Sequence, residues 1–482
     1  MSLGKIINGL RKAACVGLTA LVLAVGVREA RAETYYVGPE GSIQTAINNA
    51  KDNDKIIVLP GTYTENINFL GKRIILKSTD PENPDTVTNT VIRGNGSGPV
   101  VTFNNGEDVN SVLKGVSITG GNSYYKGAGI YCLKSSPTIS NCIVKDNISG
   151  DGSSIMCQES SASISDCTAT QNTGAVAIHC RGNTRITNCK VSENISSGVY
   201  GYDGMIVNKC IINGNKGGGL SSGRNITANE CVISDNGGVG ISCYDNTLIQ
   251  NSVIKGNKGG GVNIWGHSSK IINSIIINNK GIAAINCAYK RNVTIDNCTI
   301  SNNSSQGVYC MGSTMNLNNC ILFGNLKPEI YVGGNMYWTG TLSILYSNIP
   351  GGEKDVDIEQ YGILTWGTGN IDVDPLFADP NNNDYHLKSQ AGRWDANEGR
   401  WTKDDVTSLC IDAGDPHSPI GLEPFPNGGI INMGAYGGTI EASKSYFGEP
   451  ICETIVAGDI NGDCKVDFKD FALMAFHWLE ER

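Results

Sequence analysis

Residues 186–215 read ITNCKVSENISSGVYGYDGMIVNKCIINGN. Within this stretch Ile186, Cys189, Val191 and Asn194 are followed 21 residues later by Val207, Cys210, Ile212 and Asn215. The same four positions recur on both sides. Cys142, Cys167, Cys189, Cys210, Cys231, Ser252, Ser274, Cys298 and Cys320 stand at intervals of 21 to 25 residues. An aliphatic or small residue precedes each by three positions, from Ile139 to Leu317, and another follows by two, from Val144 to Leu322. Five residues after each stands Asn: Asn147, Asn172, Asn194, Asn215, Asn236, Asn257, Asn279, Asn303 and Asn325. Nine successive units with one period define a repeat architecture.

The runs between turns are three to six residues long and alternate in polarity, which is strand length. A second column, Cys132, Cys157, Cys180, Gly201, Ser222, Cys243, Ile264, Cys287 and Cys310, follows a glycine-marked turn in each unit. One such coil cannot bury its own apolar side chains, whereas stacked coils cover one another. The expected fold is all-β, a single-stranded parallel β-helix solenoid. Like residues then stack about 4.8 Å apart. In such a stack each Asn amide donates to the next and accepts from the last, so the asparagines read as a turn ladder. Of the 17 cysteines, 13 fall in the two inward columns and read as small buried hydrophobes. Export would permit disulfides, and the spacing leaves their pattern open.

At the N-terminus, Lys5, Arg11 and Lys12 precede the apolar run 13–27, and Ala30-Arg31-Ala32 offers a cleavage site. Residues 1–32 are thus expected to be a secretory signal, placing the mature chain outside the cell, at its surface or in the periplasm. No later run is long and apolar enough to span a membrane. Removing the signal takes away five basic residues and one acidic one, moving the net charge from −9 to −13. That balance disfavours nucleic acid as a partner. Ser42 is expected to cap a short helix to about Ala50 that covers the first coil. Strands are expected at 55–59, 72–76, 91–93 and 100–103, and further ones at 344–348 and 371–377. The solenoid and its caps are expected to occupy residues 33–442, with 378–442 finishing the far end. Residues 443–457 read as a linker, and 458–482 as a separate tail.

In the tail, Asp459, Asn461, Asp463, Asp467 and Asp470 place oxygen ligands at positions 1, 3, 5, 9 and 12 of a calcium loop, with the Lys465 carbonyl at position 7. Ca²⁺ is the expected cofactor. An amphipathic helix from Phe468 to Trp478 should follow. Cys464 stands where Gly is usual, Asp470 stands where Glu is usual, and Cys452 is placed to bridge to Cys464.

Residues 35 to about 440 resemble the pectin-lyase-like right-handed parallel β-helix superfamily. The resemblance rests on Ser42-Ile43-Gln44-x-Ala46-Ile47, on Ile57-Val58-Leu59-Pro60-Gly61-Thr62-Tyr63 and on the Asn-Cys-x-Ile coils. The segments 372–377, 410–414 and 431–438 resemble a C-terminal region of exported bacterial members. Residues 458–479 resemble one calcium-binding segment of a dockerin, a module that usually carries two. This implies Ca²⁺ and a docking partner for the tail. The superfamily resemblance implies polysaccharide as ligand or substrate. The Asn-Thr-Asp, Gly-His-Gly and Arg-Ile-Lys motifs of its hydrolases are absent from the sequence.

The position after the second column carries Arg181, Tyr202, Gly223, Tyr244 and Trp265; the next carries Gly182, Asp203, Arg224, Asp245 and Gly266, followed by His267. In register, Arg181, Tyr202, Tyr244, Trp265 and His267 form an exterior strip suited to a surface glycan: aromatic faces stack on sugar rings and charged groups orient them. Arg224 has the fork to bind a uronate or sulfate. Asp203 and Asp245, two coils and roughly 9 to 10 Å apart, are the candidate carboxylates for an inverting hydrolase. Alternatively one of them binds Ca²⁺ beside a substrate carboxylate while a Lys or Arg acts as base in β-elimination, which makes Asp203, Arg224 and Asp245 the catalytic candidates. The leading expectation is an exported or surface protein binding carbohydrate or another surface component. The alternative is a polysaccharide lyase or hydrolase acting on an acidic polymer.

Overall fold

A computed structural model describes residues 32–288, 291–448, 458–460 and 465–478. The chain winds through about 15 turns of a right-handed parallel β-helix. Each regular coil contributes one strand to each of three sheets of 13, 15 and 12 strands, here sheets 1, 2 and 3 in coil order. One coil runs Val176–Arg181 in sheet 1, Arg185–Thr187 in sheet 2 and Lys190–Ser192 in sheet 3. Every strand pairing within these three sheets is parallel, and the sequence columns hold in register: Ile186 opposite Val207, Val191 opposite Ile212, Cys180 opposite Gly201.

The interior is a stack of Ile, Val, Leu and Cys that is closed to solvent from Val37 to Val356. The asparagine ladder runs through it. Asn194 donates its backbone N–H and its Nδ2 to Asn215 Oδ1 at 3.2 and 2.9 Å, and Asn215 does the same to Asn236 at 3.1 and 3.0 Å. Each Nδ2 also reaches a backbone carbonyl of the preceding coil, such as Val191 O at 3.0 Å. These bonds remove the cost of burying the amides. The ladder is polar: every step donates toward the C-terminus. It opens at Gly121 N–H, which donates to Asn147 Oδ1, and closes at Asn325, whose N–H and Nδ2 donate to the buried Glu329 carboxylate at 3.3 and 2.9 Å. The cysteine column behaves alike. Cys189 N–H donates to Cys210 Sγ at 3.4 Å, and Ser252 takes the same role for Cys231 at 3.1 Å. All 14 described cysteines are free and buried. Cys452 and Cys464 lie outside the described residues.

The residue before each ladder Cys, such as Asn188 at φ 52°, and before each ladder Asn, such as Glu193 at φ 58°, is left-handed. The first turns sheet 2 into sheet 3 across residues 188–189, and the second opens the turn 193–196 into the next strand of sheet 1. At the N-terminus, helix Ile43–Asn49 starts at Ser42, whose side chain accepts from Thr45 N–H, and buries Ile43, Ala46 and Ile47 over the first coil. Gly61–Thr64 is a strand of sheet 3 paired with residues 90–93.

Beyond residue 371 the parallel winding stops. Phe377–Asp379 pairs antiparallel with Asp384–Leu387, and Arg393–Asp395 with Arg400–Thr402. This region folds back along the flank of the late coils instead of finishing only their end. Phe377, Tyr385, Leu387, Met433 and Ala435 form a second core with the outward side chains of sheet 3, Ile275, Ile277 and Ile321. The turn asparagines hold it by their amides: Asn273 donates to Ala435 O and Gly437 O, and Asn297 donates to Asn432 O.

Candidate functional site

The candidate site lies where sheet 1 meets its turn into sheet 2. In strands Val176–Arg181 and Ser197–Tyr202 the residues alternate, with Ile178, Cys180, Val199 and Gly201 inward and His179, Arg181, Tyr200 and Tyr202 outward. Arg181 sits directly opposite Tyr202, so the expected strip starts as read. The Tyr202 ring then lies across Gly223, where a Cβ would fall 2.0 Å from Tyr202 Cδ2. Arg224 folds back onto it: Nη2 donates to Tyr202 Oη at 3.0 Å, and the guanidinium carbon lies 5.6 Å from the ring centre. The Tyr202 hydrogen bond, then Asp203 and Asp245, raise the Arg224 pKa above its usual value. Arg224 is thus turned toward Tyr202, with an Nη2 donor spent there.

Asp203 stands in a left-handed turn at φ 61°. Asp245 accepts His267 N–H at 2.7 Å, and Trp265 Nε1 donates to Ser242 Oγ at 3.2 Å. Tyr244 and Trp265 remain 51% and 39% exposed, which leaves aromatic surface free between the two ends of the strip. At one end Arg181, Tyr202 and Asp203 line a groove of about 560 Å³ together with Glu159 and Tyr200. His179 lies beneath, its ring edge-on to Tyr200 at 5.0 Å. Burial, with Arg181 beside it, pushes its pKa down to about 4, so the imidazole is neutral at pH 7. At the other end His267 lines a groove of about 370 Å³ with Arg291, Ser313, Thr314, Tyr337 and Trp338.

Glu159, Arg291, Tyr337 and Trp338 were not among the expected site residues. Extending the Gly182–Asp203–Arg224 column by one coil reaches Glu159. The other three lie in turns longer than the basic coil, where the period carries no register.

In the tail, helix Phe468–Trp478 is present, and the Asp470 carboxylate, 1% exposed, accepts Ile460 N–H and Asp467 N–H, both at 2.7 Å. Asn461 and Asp463 lie outside the described residues, as do residues 1–31 and 449–457. No described helix is long and apolar enough to cross a membrane.

Residues 128–280 match a family model described as right handed beta helix region, and residues 354–414 match one described as disaggregatase related. No curated protein sequence matches the chain. Among solved structures, the A-module of a mannuronan C-5 epimerase from Azotobacter vinelandii is 16% identical at a TM-score of 0.48, covering 71% of this chain and 100% of its own. Pectate lyase Pel9A is 14% identical at a TM-score of 0.36, covering 84% of this chain and 96% of its own. The receptor-binding domain of the siphovirus 9NA tailspike is 10% identical at a TM-score of 0.43, covering 70% of this chain and 76% of its own. The strand pairing and the match over 128–280 define a right-handed parallel β-helix.

Proposed function

We propose that this chain is an exported or cell-surface β-helix protein that binds carbohydrate along the outer edge of sheet 1. The observation that carries the reading is the run of outward Arg181, Tyr202, Tyr244 and Trp265, with a groove at each end. Exposed aromatic faces at coil spacing stack on successive sugar rings, and the polar groups beside them fix orientation. The cleavage alternative takes Asp203 and Asp245 as the carboxylates and Arg224 as a further catalytic candidate. The engagement of Arg224 by Tyr202 counts against it.

The test is affinity of the full mature chain for a polysaccharide panel with Ca²⁺ present, alongside Tyr202→Ala and Trp265→Ala. Retention of at least one polysaccharide, weakened in both variants, is the expected result. The same incubations are followed for product size and unsaturated uronate absorbance. Shortened polymer would replace the binding reading with an enzymatic one, lyase if the absorbance appears and hydrolase if it does not. The tail is proposed to hold Ca²⁺ through Asp459, Asn461, Asp463, the Lys465 carbonyl, Asp467 and Asp470, and to attach the solenoid to a protein partner. Calorimetric Ca²⁺ titration should show one site that Asp467→Ala removes.

A further inference from the structure

The two ends of the solenoid are finished differently. At the N-terminal end the helix Ile43–Asn49 covers the first coil, and the inward Val37 is 5% exposed. At the C-terminal end Val356–Ile358 is the last strand of sheet 1, and Gly362–Trp366 is the last strand of sheet 2. Ile358 stands opposite Val332, Leu364 opposite Leu342 and Trp366 opposite Ile344, so all three continue inward columns. Val332, Leu342 and Ile344 are closed to solvent, whereas Ile358 is 47% exposed and Leu364 and Trp366 are only partly covered. The C-terminal region packs on the flank of sheet 3 and leaves these rungs open. Among the described residues no strand pairs on the far side of Gly362–Trp366. Alternate backbone N–H and C=O groups of an end strand point away from its coil, and here they stand beside an uncovered apolar rung. That combination is a template for one more strand. The rim of the same coil is acidic: residues 352–372 carry Glu353, Asp355, Asp357, Glu359 and Asp372 against Lys354 alone. Lys327 pairs with Asp355 at 2.8 Å, while Glu353 and Asp357 are exposed.

We propose that the open C-terminal end of the solenoid docks an extended, basic segment of a protein partner, which adds a strand to Gly362–Trp366. Main-chain hydrogen bonds along the strand hold the segment, and its alternate side chains give selectivity. Side chains on one face of the segment stack on Leu364 and Trp366, which carries the coil-on-coil contact of the interior one step further. Side chains on the other face lie beside the outward Ile363 and Thr365. Lys or Arg suits these positions, because the stem covers Ile363 and the charged head reaches the acidic rim. The charge of the rim also chooses between occupants. A second copy docked end to end through the same surface would set one acidic rim against another, and like charges across an interface disfavour it. This surface is separate from the edge proposed for carbohydrate, and the inference does not depend on that reading.

The experiment titrates the full mature chain with three peptides of about ten residues, enough to span one strand. One alternates lysine and valine, one alternates glutamate and valine, and one is the lysine–valine peptide with proline at two valine positions. Proline has no N–H to give to a sheet edge. The lysine–valine peptide should bind saturably, one per chain, and slow amide exchange over residues 362–366. The other two peptides should bind at least about tenfold more weakly. Ile363→Lys, which sets a cation beside the added strand, should weaken the lysine–valine peptide to a similar degree while the denaturation midpoint stays near wild type. Glu353→Gln combined with Asp357→Asn should weaken it at low salt and matter little at high salt. No saturable binding of the lysine–valine peptide overturns the proposal. So does equal binding of the proline peptide, which marks charge attraction without strand addition, and so does binding that neither variant alters. A wild type that sediments as a dimer, becomes monomeric in Ile363→Lys and binds no peptide assigns this end to a second copy and overturns the proposal as well.

Discussion

Replacing Glu329 should unfasten the C-terminal end of the asparagine ladder in proportion to the acceptors lost. Glu329 Oε1 takes Asn325 N–H at 3.3 Å and Oε2 takes Asn325 Nδ2 at 2.9 Å. In Glu329→Leu the N–H loses its partner, whereas Nδ2 keeps Ile300 O at 2.8 Å. One donor is orphaned and a second is half-satisfied, at about 1–3 kcal/mol for a fully orphaned buried group, so the loss should be about 2–4 kcal/mol. Glu329→Gln supplies one acceptor oxygen where glutamate supplies two. It also relieves the burial that pushes the Glu329 pKa above the usual carboxylate range. It should therefore lie between wild type and leucine. Coils of a solenoid couple chiefly to their neighbours, so the measurement must be local. Amide hydrogen exchange over residues 320–332 should accelerate in the order wild type, glutamine, leucine, with the Asn147 end unchanged. Wild-type protection in Glu329→Leu would refute the reasoning. Equal loss for glutamine and leucine would show that charge, not acceptor number, closes the ladder.

Gly219→Val should destabilise the middle coils by about 1–3 kcal/mol, read as a lowered denaturation midpoint. A Cβ at this position would fall 2.5 Å from Ile233 Cγ2 and 2.6 Å from Gly240 O. The column thiols should resist a thiol reagent in the native protein and react on unfolding without added reductant, because the 14 described cysteines are free and buried. Cys210→Ser should cost less than about 1.5 kcal/mol in a chemical denaturation series, since serine fills the same ladder position at Ser252 and Ser274. Burial pushes Glu423 up to about 7 from 4.5, while its Oε1 holds Asn432 N–H and Gly438 N–H. The folded chain keeps this proton over a range in which the unfolded chain has lost it. The associated stability is thus full below about pH 4.5 and is lost as pH rises through about 7, a swing of up to about 3 kcal/mol. Melting followed from pH 4 to pH 8 should show this slope in wild type and a flatter one in Glu423→Gln.

The repeat was legible because inward positions answer to a single requirement, that each residue stack on its own kind. Ile186, Cys189, Val191 and Asn194 recur because every coil presents the same interior. The left-handed turns were partly legible: Asn, which tolerates this conformation, stands at Asn141, Asn188, Asn251, Asn273, Asn297 and Asn319, whereas Lys209 and Glu230 adopt it with no such signal. The fold-back of the C-terminal region did leave a signal. Sheet 3 strands in open coils alternate, as in Lys190-Val191-Ser192, whereas Ile275-Ile276-Ile277 is apolar throughout. A continuous apolar run marks a strand buried on both faces. Here the inward Ile276 meets the solenoid core, and the outward Ile275 and Ile277 meet Phe377, Tyr385 and Met433.

The edge of sheet 1 obeys a different rule, and this decides which of its residues sequence can assign. Column register placed Arg181 opposite Tyr202 because the backbone ladder fixes it. Register does not decide where a long side chain reaches. Arg224, two residues past the inward column, turns back one coil to Tyr202, an orientation its sequence position did not show. Arg291, beyond the end of strand Ala283–Ala288, meets His267 of the previous coil and the turn at 337–339 of a later one. The turns that escape the period are free of the stacking constraint that holds the interior constant. Substitution there costs the fold little, so chemistry can concentrate there. Interior substitutions should therefore register in stability, as at Gly219 and Glu329. Substitutions at Tyr202 and Trp265 should register in ligand affinity, with the denaturation midpoint nearly unmoved.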